Sequence, residues 1–388
     1  MNKTISYGRQ NIDENDIKSV VKILKSNSIT QGKIVSEFGF KIAKFVGAKY
    51  GVAVSNGTAA LHLSLLALKL KPGDEVITTP ITFCATANAV LYNGADIKLA
   101  DIDPKTLNID LKEIEKKITK KTKAIIAVDF RGHAANLYEI YYLAKKHKIK
   151  VIEDASHSLG SKYKKNGRTF KCGDCNHADL ATFSFHPVKH ITTGEGGVVT
   201  TNNLKLYKKI LLLKKHGIDK NQKMLSTKKQ IGSWKYDMLY LGYNYRLTNF
   251  QAALGISQLQ KIKYFMSERR KIVNFYNQEL KKIKNIILPY EEKGFISNFH
   301  LYIIQVKRDK NFNRYSLFNY FKKNKIITQV HYIPLHNLKF YKKKYSFKES
   351  DFPFSQQYYN QALSLPLYPG LSQVKINKVV KVLKEYFK

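Results

Sequence analysis

The chain has 388 residues, 44% of them hydrophobic, with 67 lysines and arginines against 29 aspartates and glutamates and a formal net charge of +38. That hydrophobic share excludes a disordered chain, and no apolar run approaches the roughly 20 residues that a membrane-spanning helix needs. The charge alone points to nucleic acid, but the lysines are spread along the whole chain without a zinc-finger, RNP or helix-turn-helix signature, so the expectation is no specific nucleic acid, no membrane, and a positive field that attracts an anionic substrate.

The opening segment, MNKTISYGRQNIDEND, is polar and has no signal-peptide core, which predicts a cytoplasmic protein. Roughly the first 45 residues have helical spacing and are expected to join a small domain or a partner contact. From Gly51 onward, apolar runs alternate with helical patterns. The predicted buried strands are 51–55, 75–79, 97–101, 124–129, 150–155, 180–185 and 197–201. Helices are predicted over 57–70, 84–91, 111–118 and 137–147. This alternation predicts an α/β fold with a mostly parallel sheet covered on both faces.

The pattern changes near Asn244. A long helical run starts at about Thr248, strands are predicted over 299–306 and 327–333, and helices over 315–324 and 373–386. The expected organisation is a large α/β domain over 1–247 and a small α+β domain over 248–388. Three cysteines, Cys84, Cys172 and Cys175, argue against a disulfide framework. Cys172, Cys175 and His177 fall short of a zinc ligand set, so two loop thiols and no metal site are expected.

Four segments follow strands and carry chemistry. Gly57 and Thr58 open a helix, where free N–H groups favour a phosphate. Phe83, in TPITFCATANA, suits stacking on an aromatic ring. Asp154 ends an apolar strand, where a buried carboxylate needs a cationic partner, and His157 lies three residues on. Last, ATFSFHPVKHITTGEGGVVTT places Lys189 between an apolar strand and a glycine-rich turn. Desolvation there favours a neutral amine, which attacks an aldehyde and holds it as a Schiff base. Ser184 offers a hydroxyl to a phosphate, and His186 faces solvent or substrate. In α/β sheets, ligands sit beyond the carboxyl ends of strands, where all four segments fall. Read singly, each also fits a structural role: a helix cap, a core phenylalanine, a capping aspartate, a surface lysine.

Together, SNGTAALHL, PITFCATANAV, EDASHSLGS, SFHPVK, GEGG, GYNYRLTNFQAALGISQL, QVHYIPLH and ALSLPLYPGLS resemble the DegT/DnrJ/EryC1/StrS family of sugar aminotransferases over nearly the full length. The resemblance implies a fold-type-I transferase, aspartate aminotransferase-like, dependent on pyridoxal 5'-phosphate (PLP) and its amino form (PMP). It implies Lys189 as the Schiff-base lysine and Asp154 as the partner of the pyridinium nitrogen. His157 is implied beside the ring hydroxyl, Gly57, Thr58 and Ser184 at the phosphate, and Phe83 against the ring. Asn244 is implied to reach the phosphate of a neighbouring subunit, which makes a homodimer with shared active sites. Tyr7, His186, His331 and Tyr332 are implied on the substrate side. PITFCATANAV, SFHPVKHITT, QVHYIPLH and ALSLPLYPGL are most like the pseudaminic-acid branch, whose members aminate a UDP-linked 4-keto-6-deoxy-N-acetyl-L-altrosamine with L-glutamate. His190 departs from that branch, and HITTGEGG is similar to a sugar dehydratase subgroup in which histidine replaces the lysine. A PLP-dependent nucleotide-sugar dehydratase therefore stands as the alternative activity.

Overall fold

Seven of the apolar runs pair into one sheet. The computed structural model describes residues 4–220 and 234–388. The first half of the chain supplies helices α1 (Glu14–Leu24), α2 (Lys33–Val46), α3 (Gly57–Ala67), α4 (Ala85–Tyr92), α5 (Leu111–Lys117), α6 (Leu137–Lys146) and α7 (Leu204–Leu213). Between them run strands β1 (Tyr50–Val54), β2 (Glu75–Thr78), β3 (Asp96–Leu99), β4 (Thr122–Val128), β5 (Lys150–Asp154), β6 (Lys162–Lys165), β7 (Arg168–Lys171), β8 (Leu180–Ser184) and β9 (Gly197–Thr201). The sheet order is β1-β9-β8-β5-β4-β2-β3. Only β9 runs against its neighbours, and the others are mutually parallel. All seven strands match the predicted runs within a few residues. Their continuous burial, as in Val76, Ile125, Ile152 and Phe183, reflects helices on both faces.

The second half begins with a short pair, β10 (Ile218–Asp219) and β11 (Asp237–Met238), followed by α8 (Asn249–Gln260) and α9 (Ile262–Leu280). Then come β12 (Ile286–Ile287), β13 (Phe295–Ile296), β14 (Tyr302–Val306), α10 (Arg314–Lys323), α11 (Lys339–Tyr345), α12 (Pro353–Gln361), β15 (Ala362–Leu365) and α13 (Gln373–Tyr386). Strands β12, β14 and β15 form an antiparallel sheet. A separate core of Val273, Tyr276, Ile304, Phe321, Val379 and Leu383 covers it.

The N-terminal segment divides its contacts. Ile5 bridges Ile326 and packs into the C-terminal core. Helix α1 instead docks on α8 through a buried carboxylate. Asp16, fully buried, accepts from Ser257 Oγ, Gln258 Nε2 and Lys261 Nζ, each at 2.6 Å. Such satisfaction offsets the cost of burying the charge.

One expectation needs correction. The predicted strand over 327–333 is not one. Gln329 makes a single bridge to Ser364, and the chain then turns its side chains towards a cavity before Pro334, which has no N–H to extend a ladder. Cys172 and Cys175 lie in the loop between β7 and β8, as expected. Both are buried, and Cys175 Sγ donates to the Thr200 carbonyl at 3.3 Å. His177 pairs with Tyr163 OH at 2.8 Å.

Candidate active site

At the carboxyl edge of the sheet the ends of β1, β2, β5 and β8 open onto a cavity of about 770 Å³. Its wall contains Tyr7, Gly57, Thr58, Phe83, Asp154, His157, Ser184, His186, Lys189, His331 and Tyr332. The fold thus brings together eleven of the twelve sequence-derived residues. Asn244 lies elsewhere, exposed, with its backbone bridged to Lys215.

One end of the cavity is shaped by glycine. A Cβ on Gly57 would stand 2.9 Å from Ser184 Cβ, so the start of α3 and the end of β8 approach only without one. Asn56 caps α3 by accepting from Ala59 N–H at 2.8 Å. The first-turn N–H groups of Gly57 and Thr58 have no partner within the helix by geometry. With the Ser184 hydroxyl they make a site for a phosphate.

Asp154 ends β5, 5% exposed. Its carboxylate accepts from Thr86 Oγ1 at 2.9 Å and from Ser156 N–H at 3.2 Å. Lys189 is half-buried by surface area, but its amine is desolvated, which lowers its pKa to about 8 against the opposing pull of Asp154. That brings a large neutral fraction within reach of neutral pH. His157 is buried. Its Nε2 meets Tyr332 OH at 3.1 Å, while Nδ1 has no partner among the described residues. Burial first, then Lys189 and the neighbouring histidines, hold it well below the usual imidazole range. His331 Nδ1 meets Ser364 Oγ at 2.8 Å, and burial lowers its pKa to about 3. Phe83, 58% exposed, tilts towards Tyr332 with ring centroids 6.0 Å apart. His190 turns from the cavity, its Nε2 3.1 Å from the Asn298 carbonyl.

The sequence reading missed Thr86 and His300, both in the wall. Thr86 carried a usable signal, because it follows Thr82 by one helical turn in the segment already singled out; their hydroxyls are 2.8 Å apart. His300 opens an apolar strand pattern and gave none.

Phosphate donors at a helix start, a held carboxylate, an unpartnered imidazole nitrogen and a desolvated lysine fit a PLP-dependent transferase of the aminotransferase class. The DegT/DnrJ/EryC1/StrS aminotransferase family profile matches residues 10–384, and the chain belongs to that family. It is 40% identical over 383 residues to the UDP-4-amino-4,6-dideoxy-N-acetyl-beta-L-altrosamine transaminase of Campylobacter jejuni strain 81-176, covering 97% of this chain and 96% of that one. It is 33% identical to the GDP-perosamine synthase of Caulobacter vibrioides, covering 98% of each. Among solved structures, Helicobacter pylori PseC, described as an aminotransferase of pseudoaminic acid biosynthesis, superposes with a TM-score of 0.89 at 30% identity, over 99% of both chains. The Streptococcus pneumoniae sugar aminotransferase Spr1654 in its PMP form gives 0.90 at 29%, over 98% of both. The chain is an α/β, PLP-dependent sugar aminotransferase; among the described residues no helix is long and apolar enough to cross a membrane.

Proposed function

We propose that the chain transfers the amino group of L-glutamate to a nucleotide-linked 4-keto-6-deoxy sugar, UDP-4-keto-6-deoxy-N-acetyl-L-altrosamine, on the route to pseudaminic acid. The observation that carries the reading is a desolvated lysine amine and a held carboxylate in one cavity at the sheet edge. The likeness to the Campylobacter and Helicobacter proteins supports the substrate.

Gly57, Thr58 and Ser184 hold the phosphate, Phe83 covers the ring face, and His157 offers Nδ1 to the ring oxygen. Asp154 keeps a proton on the ring nitrogen, and Thr86 and Ser156 keep Asp154 aimed. Bound there, PLP would supply an electron sink for electrons released at the substrate carbon. Lys189 Nζ would take the proton from that carbon and return it on the other side of the transfer, as base and then acid. Tyr7, His186, His331 and Tyr332 contact the sugar. Asn244 serves the cavity of a second copy, so the working unit is a homodimer.

The test is a panel of UDP-, GDP- and dTDP-linked keto sugars with glutamate, read by product mass. The expected product is the UDP-linked 4-amino sugar with 2-oxoglutarate; a GDP-linked product, or loss of water without amine gain, overturns the substrate or the reaction. Borohydride reduction of the loaded enzyme should fix the cofactor's mass on the peptide containing Lys189. The Lys189→Ala protein should show neither label nor turnover, and a label on another lysine refutes the assignment.

A further inference from the structure

His300 precedes β14, lines the cavity and is 4% exposed, yet none of the roles above uses it. Unusual local structure fixes it. Phe299 before it adopts a left-handed φ of 49°, uncommon for a bulky residue. Fully buried Arg269, on α9, donates from Nη1 to the carbonyls of His300 at 3.1 Å and Leu367 at 3.0 Å. Asn298 donates its N–H to Ser161 Oγ and its side-chain amide to the Leu159 carbonyl, both at 3.0 Å. Gly132, at φ 92°, leaves room for this loop, because a Cβ there would lie 2.0 Å from Asn298 Oδ1 and 2.9 Å from His300 N.

All of this sets one imidazole against another. The rings of His300 and His157 lie 4.3 Å apart by centroid, their planes 40° apart. No hydrogen bond between them is recorded, and each keeps an Nδ1 without a partner among the described residues. Tyr332 OH holds one nitrogen of His157, and the Phe130 and Tyr332 rings stand 6.1 Å from it by centroid. His300, at 4.3 Å, is the nearest of the three rings and limits its turning most.

We propose that His300 is a positioning residue: packed on His157, it fixes the plane of that ring and so sets the direction in which the free Nδ1 is presented to the cofactor. This rests on the cavity being a PLP site. The charged and titratable groups that face His300 are His157, Lys189, His190 and Arg269. None is a carboxylate. Burial, with these neighbours, holds both imidazoles below the usual range, so they meet as neutral rings.

The experiment is a double-mutant cycle on the affinity of the cofactor-free protein for PLP, read by fluorescence quenching. His157→Ala and His300→Ala should each weaken binding roughly tenfold, and the double variant should be no weaker than His157→Ala alone. In the loaded enzyme, His300→Ala should shift the pH titration of the visible band in the same sense as His157→Ala. His300→Phe keeps a flat ring and should retain most of the affinity. Additive losses, an unchanged affinity in His300→Ala, or a His300→Phe protein as weak as His157→Ala overturns the proposal. If His300→Ala does not fold, the His300→Phe affinity decides. A wild-type protein that binds no PLP refutes the cofactor reading instead.

Discussion

Asp154 shows how one side chain depends on its neighbour. The Thr86 hydroxyl donates to it at 2.9 Å from the first turn of α4. Hydrogen bonds to a charged acceptor contribute about 1.5–3 kcal/mol. Thr86→Val keeps the shape of the threonine and removes that donor. It should lower kcat/KM for the keto sugar by roughly tenfold or more, while Ser156 N–H still orients the carboxylate. Asp154→Asn removes the charge itself and should be much more damaging. Steady-state kinetics of both variants check this; equal losses, or none for Thr86→Val, would show that Thr86 does not hold the carboxylate in the working enzyme. Asp154 and Lys189 were legible in the sequence because each sits where an apolar strand ends, a place where a charge needs a reason. His300 was not, because its importance comes from a backbone clamp whose parts are scattered from Leu159 to Leu367.

At the scale of elements, the approach of α3 to β8 is set by one missing methyl group. Gly57 has no left-handed φ, so alanine suits its backbone and would even favour the helix. The added Cβ would nevertheless meet Ser184 Cβ at 2.9 Å. Gly57→Ala should therefore lower the melting temperature by a few degrees, because overpacking costs about 1–3 kcal/mol against a smaller helix gain, and weaken PLP binding by roughly tenfold, the scale of one lost phosphate hydrogen bond to a charged group. Calorimetry and fluorescence titration on one sample separate the two; an unaltered affinity would place the phosphate elsewhere. The seven sheet strands were readable because a strand buried on both faces is a continuous apolar run. The hairpin of β6 and β7 was not read, since KYKK and RTFK are rich in cations and only Tyr163 among their residues is buried. A signal was present all the same: Asn166-Gly167, with φ 50° and 74°, is a two-residue turn sequence of the hairpin type. The false strand over 327–333 has the opposite cause. Its residues are apolar enough for a strand, but Val330 to Ile333 line the cavity, and only Gln329 makes a bridge, to Ser364.

At the scale of the whole molecule, residues from the two ends of the chain pack across the middle. We propose units over 1–247 and 248–388, with Ile5 packed into the second core and Ala252 and Phe265 packed beside Phe183 and Phe185 of the first. Around the junction lie His157, His190, His300 and His331, with His133 nearby through Asn298 and Gly132. Burial is the first cause lowering all five, His133 to about 4 and His331 to about 3. In the unfolded chain each returns to about 6.5. Between these values the unfolded state binds more protons, so stability must fall as pH falls through that window. Above 6.5 the contribution is fully present. The Asp129, Glu153 and Glu292 carboxyls, raised by desolvation, act in the opposite sense over part of the range, while His62, His177 and His336, also lowered by burial, add to the five. The melting temperature should therefore be highest near neutrality and drop steadily from pH 6.5 towards 4.5. Repulsion among exposed cations on a chain of net charge +38 adds to the loss and is screened by salt. Buried imidazoles are not, so the decline should persist in high salt. A melting temperature that stays flat between pH 6.5 and 4.5 in high salt would mean that these rings are protonated or solvated in the folded protein, and that the junction is wetter than its packing indicates.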